Sequence, residues 1–156
     1  MVREQGAKLA NKGYAVIAVT PHSKVPSMPR WQKAPLSARE CRERPEEEGV
    51  GLLCGFGEHP VLGIDCDIEG DDELAAVVRS RFDTILHFEE TNPIRHGKRP
   101  KFMILGAMDP ANRFSKFSSV KYTKDGGKTT VQVEMLGVGH YFVAYGIHPD
   151  TGKAYE

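Results

Sequence analysis

The sequence predicts an α+β fold, and three observations carry the prediction. Short apolar runs of strand length recur at residues 14–19, 49–55 and 61–67. Residues 117–124 and 128–136 read as two strands around the turn Asp125-Gly126-Gly127. The last third of the chain reads as antiparallel β, which a doubly wound parallel sheet would not give.

With 156 residues, one domain (residues 1–156) with a real core is expected. The sequence shows neither a secretory signal nor an apolar run long enough to cross a bilayer, so a soluble protein of the cytoplasm is expected, with no membrane partner. Cys41, Cys54 and Cys66 form no C-x-x-C pair, and two of them fall inside apolar strand patterns. All three are read as reduced and buried. The net charge of zero conceals a split. Between Glu40 and Glu90 there are 15 Asp/Glu against 4 Lys/Arg, and between Thr91 and Lys128 there are 9 Lys/Arg against 2 Asp/Glu. An acidic segment followed by a basic one suits a metal–phosphate site.

In chain order, residues 3–12 predict a short helix stopped by Gly13. Tyr14-Ala15-Val16-Ile17-Ala18-Val19 is apolar throughout and reads as a central strand. A Pro-rich loop follows, in which Lys24 near Trp31 reads either as a phosphate or base contact or as a solvated Lys beside a Trp that covers the core edge. Ser37-Ala38-Arg39-Glu40 is a capping box, and the helix it opens ends by Pro45. Residues 49–55 and 61–67 form the next two strands, joined through Gly57-Glu58-His59-Pro60. Asp71-Asp72 starts an amphipathic helix built on Leu74, Ala75, Val78 and Phe82. Residues 84–88 and 102–105 predict further strands. In the strand 128–136, Val131, Val133 and Met135 point one way and Thr130, Gln132 and Glu134 the other. A last strand covers residues 139–145, and Gly146 to Gly152 make a compact turn. The chain stops at Tyr155-Glu156 without a polar tail, so a domain cut from a longer protein is expected.

Gly63-Ile64-Asp65-Cys66-Asp67-Ile68 is the chemical centre of this pattern. On a strand, Asp65 and Asp67 share one face, while Ile64, Cys66 and Ile68 enter the core on the other. Paired carboxylates repel unless a proton or a cation joins them, and their oxygens suit Mg²⁺ or Mn²⁺. A capping role would explain one of them, but Asp71 and Asp72 are better placed for it. Arg95-His96-Gly97-Lys98-Arg99-Pro100-Lys101 is the most basic stretch and can line a triphosphate or a nucleic-acid strand; a solvated basic loop is the alternative. Gly126-Gly127-Lys128-Thr129 imitates the end of a phosphate-binding P-loop. Tyr122 stands where that motif needs its first Gly, and the segment sits in a hairpin.

Taken together, Gly13-Tyr14-Ala15-Val16-Ile17 with Lys24, Pro26 and Trp31, the strand Gly49-Val50-Gly51-Leu52-Leu53-Cys54-Gly55, the Asp65/Asp67 pair, Arg95-His96-Gly97 with Pro100-Lys101, Val133-Glu134-Met135-Leu136-Gly137, and the stretch from His140 to Gly152 resemble the N-terminal domain of bifunctional DNA primase–polymerases, members of the archaeo-eukaryotic primase superfamily. The resemblance implies an RRM-like antiparallel sheet packed with an N-terminal αβ unit. It implies a nucleotidyl transferase that extends a 3′-hydroxyl on a DNA template from NTP or dNTP, in phage, prophage or plasmid replication. Asp65, Asp67 and Glu134 would hold two divalent ions, Mg²⁺ or Mn²⁺. Arg95, Lys101, His96 and His148 are the candidates for the nucleotide, and a helicase domain or protein is the expected companion.

Two other classes compete. Metal nucleases also use carboxylate pairs, but the common pattern with Lys two residues after the Glu is absent, since Leu136 stands there. A replication module that binds DNA or nucleotide without catalysis is the other.

Overall fold

The structure, a computed structural model, describes residues 1–87 and 92–156. A π-type helical turn, Val2–Gly6, continues as α1, Ala7–Asn11, and Gly13 (φ +82°) turns the chain into β1, Tyr14–Val19. The remaining elements are α2 (Ala38–Glu43), β2 (Gly49–Gly57), β3 (Val61–Glu69), α3 (Asp72–Leu86), β4 (Ile94–Arg95), β5 (Phe102–Ala107), β6 (Lys116–Ser118), β7 (Tyr122–Lys124), β8 (Thr129–Leu136) and β9 (Tyr141–Tyr145). The fold is α+β with antiparallel sheets and few helices. Among the described residues no helix is long and apolar enough to cross a membrane.

The strands form two sheets. A three-stranded sheet has the order β1-β2-β9; a six-stranded one has the order β4-β5-β3-β8-β6, with β7 also paired to β8. β3 lies at the centre of the larger sheet, so its Asp pair is braced on both sides. Its Ile64, Cys66 and Ile68 pack with Val131, Val133 and Met135 of β8 beneath Leu74, Ala75, Val78 and Phe82 of α3. The alternation therefore leaves Asp65, Asp67 and Glu134 on the uncovered face, and the smaller sheet meets one end of that face where Met103, Leu136 and Phe142 join its core.

Four sequence expectations change. β1 is an edge strand. It is apolar throughout because both of its faces are covered, Val16 and Ala18 by the helices and Ala15 and Ile17 by the loop that carries Met28 and Trp31. Residues 84–86 are the last turn of α3, which His87 closes in the left-handed region (φ +48°); Phe88, the end of the strand expected there, lies outside the described residues. The strand expected over residues 117–124 is two strands, because Ser119 bonds Val133 with both its N–H and its Oγ and shifts the pairing by one residue. β9 begins at Tyr141 and pairs with β2. The capping box forms as expected, with Ser37 and Glu40 bonded reciprocally, and Asp71 caps α3 through the Leu74 N–H at 2.8 Å.

Candidate active site

The register of β3 and β8 pairs Asp65 directly with Glu134 and Asp67 with Gln132. Residues opposite one another on antiparallel strands project to the same side, so the three acids share one face. On the other flank Asp65 pairs with Met103 of β5, and Arg95 of β4 pairs with Met103 in turn. Asp65 thus sits beside the junction of the two sheets and lines a cleft. Lys24, Arg95, Lys101, His148 and Tyr155 line that cleft together with Asp65 and Asp67.

Burial pushes the Asp65 carboxyl up to about 6, and the charge of Asp67 adds to the rise; Arg95 and Lys24 offset it only in part. A divalent cation would supply the missing positive charge. The donors are hard carboxylate oxygens, the kind that Mg²⁺ and Mn²⁺ prefer, and in charge and chemistry they fit such an ion.

Ammonium groups hold the other acids. Lys101 Nζ lies 3.2 Å from Asp67 Oδ1 and 2.8 Å from Glu69 Oε1. Lys116 Nζ lies 2.8 Å from Glu134 Oε1, which also accepts from Ser118 Oγ at 3.0 Å. The Lys116 contact, aided by Ser118, draws Glu134 below the usual carboxylate range against the opposing effect of burial. Burial lowers the Lys101 ammonium, but Glu69 and Asp67 outweigh it and leave it above its ordinary value. Among the described residues no three His, Cys, Asp or Glu side chains converge as a metal cage. The acids share a face, but each of the outer two is turned toward a lysine.

Arg95 donates Nη1–H to the Val143 carbonyl at 2.5 Å and lies over the Tyr155 ring, 4.6 Å from its centroid. Its Nε–H is buried and has no partner among the described residues. Burial lowers the guanidinium below its usual range, and Asp65 pulls it back. Lys24 is carried by the loop after β1, where its carbonyl accepts from the Tyr141 hydroxyl and Trp31 packs edge-on against Tyr141 at 4.7 Å.

His148 is 4% exposed and does two things at once. Its Nδ1 accepts from the Asp150 N–H at 3.2 Å, which builds the turn, and its ring borders the cleft. Burial and the nearby Lys24 charge hold it below its ordinary value. His96 stands back from the cleft. Its backbone pairs with Glu156, and its Nδ1 lies 3.4 Å from the Lys101 carbonyl.

Sequence reasoning missed Glu69, Lys116, Ser118 and Tyr155. Glu69 was findable, since it extends the Asp65, Asp67 spacing by one more step of two. The others reach the site through pairing and packing that no local pattern announces. The cysteines are buried and unpaired, and burial pushes the Cys54 and Cys66 thiols up to about 12, so they stay protonated. A larger, mostly apolar cavity of about 680 Å³, bordered by Leu52, Leu105, Met108 and Phe142, carries none of the three acids. The charged cleft, lined by Asp65 and Asp67 together with Lys24, Arg95 and Lys101, is the better candidate.

A family model described as "Bifunctional DNA primase/polymerase, N-terminal" matches residues 6–156. No curated protein and no solved structure matches the chain.

Proposed function

The chain belongs to the family of N-terminal domains of bifunctional DNA primase/polymerases, and from that premise we propose that it is a metal-dependent nucleotidyl transferase acting on a DNA template in phage, prophage or plasmid replication. One observation carries the reading: Asp65 and Asp67 share a sheet face with Glu134, directly across from Asp65, beside a cleft that also holds Lys24, Arg95 and Lys101.

Asp65, Asp67 and Glu134 would hold Mg²⁺ or Mn²⁺. Bound there, the ions would lower the pKa of the 3′-hydroxyl and neutralise the departing pyrophosphate. In the reaction the 3′-oxygen forms a bond to the α-phosphorus, the bond from that phosphorus to the bridging oxygen breaks, pyrophosphate leaves and the hydroxyl proton passes to water. The chain's own residues position the substrates. Arg95 offers a planar fork to phosphate oxygens, and Lys101 and Lys24 offer point charges. His148, which borders the cleft, can bond a phosphate or sugar oxygen; His96 supports the Lys101 backbone. Lys101, which contacts Asp67 and Glu69, would exchange them for the triphosphate. A helicase, in the same protein or separate, would supply the single-stranded template.

A non-catalytic nucleotide- or DNA-binding module is the second reading. The lack of three converged acids among the described residues favours it. Primer extension and de novo priming with each class of nucleotide, in Mn²⁺ and in Mg²⁺, test the proposal. Incorporation that Asp65→Ala and Asp67→Ala each abolish supports transfer. Binding without incorporation supports the module, and metal-dependent strand cleavage would place the chain with nucleases.

A further inference from the structure

We propose that Tyr155 is a positioning residue that holds the Arg95 guanidinium in place for the nucleotide's phosphates; this rests on the reading of Arg95 as a phosphate ligand. The ring is held from several sides. Its own N–H donates to the Gly146 carbonyl at 3.1 Å, and the next residue, Glu156, exchanges two backbone hydrogen bonds with His96 at 2.7 and 2.9 Å. These bonds bring residues 155–156 alongside residues 95–97. The ring then fits between the His148 imidazole, 5.3 Å away between centroids, and the guanidinium of Arg95.

Gly97 makes the space for this stack. A Cβ there would lie 2.6 Å from His148 Cδ2 and 2.7 Å from Tyr155 Cε1, closer than side chains tolerate. The Tyr155 hydroxyl is buried and has no partner among the described residues, so it is the face of the ring, not its polar tip, that this packing uses. A cation over an aromatic face is attracted by the ring quadrupole, more strongly when water is excluded. With Nη1 fixed on Val143 and the guanidinium held over Tyr155, the buried Nε–H remains as a donor with no partner among the described residues.

Steady-state primer extension tests this, read as nucleotide KM and kcat separately, alongside titration of a nonhydrolysable nucleotide followed by thermal shift. Tyr155→Phe keeps the ring and should hold both constants within about twofold, with Tm equal to wild type or higher, whereas Tyr155→Leu should raise KM about five- to tenfold with kcat little changed. Gly97→Ala should move KM the same way by displacing the ring. If Tyr155→Leu does not fold, Tyr155→Met replaces it, filling the volume without a π face. The proposal falls if Tyr155→Phe is as damaging as Tyr155→Leu, since the hydroxyl would then be the working group. It also falls if Tyr155→Leu leaves KM unchanged while Arg95→Ala raises it. An unchanged KM in Arg95→Ala would remove the phosphate reading itself, and the positioning role with it.

Discussion

Lys116 Nζ sits 2.8 Å from Glu134 Oε1, on the carboxylate that faces Asp65 across β3 and β8. An ammonium therefore occupies one of the acids that a metal would need. The two cations compete for one carboxylate. Lys116→Met should accordingly tighten apparent Mn²⁺ affinity, by about threefold to tenfold if the pair contributes the 1 kcal/mol or so of a partly exposed ion pair. Mn²⁺ titration followed by electron paramagnetic resonance measures it. Weaker binding in Lys116→Met would mean that the lysine supports the site.

Asp65 has a folded pKa of about 6, against an ordinary value of 3.8, chiefly through burial. The folded protein thus holds this proton more tightly than the unfolded chain. The stabilisation is complete below about pH 4 and is lost as the pH rises through about 6. In metal-free protein, Asp65→Asn should therefore raise stability at about pH 8, by about 1–2 kcal/mol after allowance for solvent screening, and the gain should vanish near pH 4. Urea melts at the two pH values check this. Added Mn²⁺ should stabilise the wild type and leave Asp65→Asn unmoved.

Lys101→Ala should raise nucleotide KM more than it weakens binding to primer–template, because the ammonium borders the cleft from the start of β5. Arg95→Lys should also be damaging, since the charge stays but the fork is lost. Were Lys101→Ala to weaken template binding with a smaller salt slope and an unchanged KM, Lys101 would be a DNA-backbone contact.

Asp71 is a structural acid, in contrast to the three proposed to hold the metal. It caps α3 and does not line the cleft. Asp71→Ala should cost about 1 kcal/mol of stability and leave kcat and nucleotide KM as they were. A thermal melt and one kinetic assay suffice, and a collapse in kcat with an intact fold would move Asp71 into the site.

Local periodicity by itself determined the elements that make the site. The i, i+2 spacing of Asp65 and Asp67 put them on one face, the apolar residues between them supplied the other, and the alternation of β8 put Glu134 opposite Val131, Val133 and Met135. Capping chemistry placed α2 and α3 for the same reason: a side chain and a backbone three residues apart are all it involves. Apart from the hairpin around Asp125-Gly126-Gly127, only the tertiary structure decided which strands pair. β9 joins β2 instead of the sheet with the acids, which puts the Val143 carbonyl under Arg95. The same holds for Lys116 on Glu134, for Glu69 and Lys101, and for Tyr155 against Gly97. These contacts join residues from 18 to 58 positions apart. Their geometry depends on sheet order and on the space left by a missing Cβ, and neither quantity has a period that a linear pattern can display.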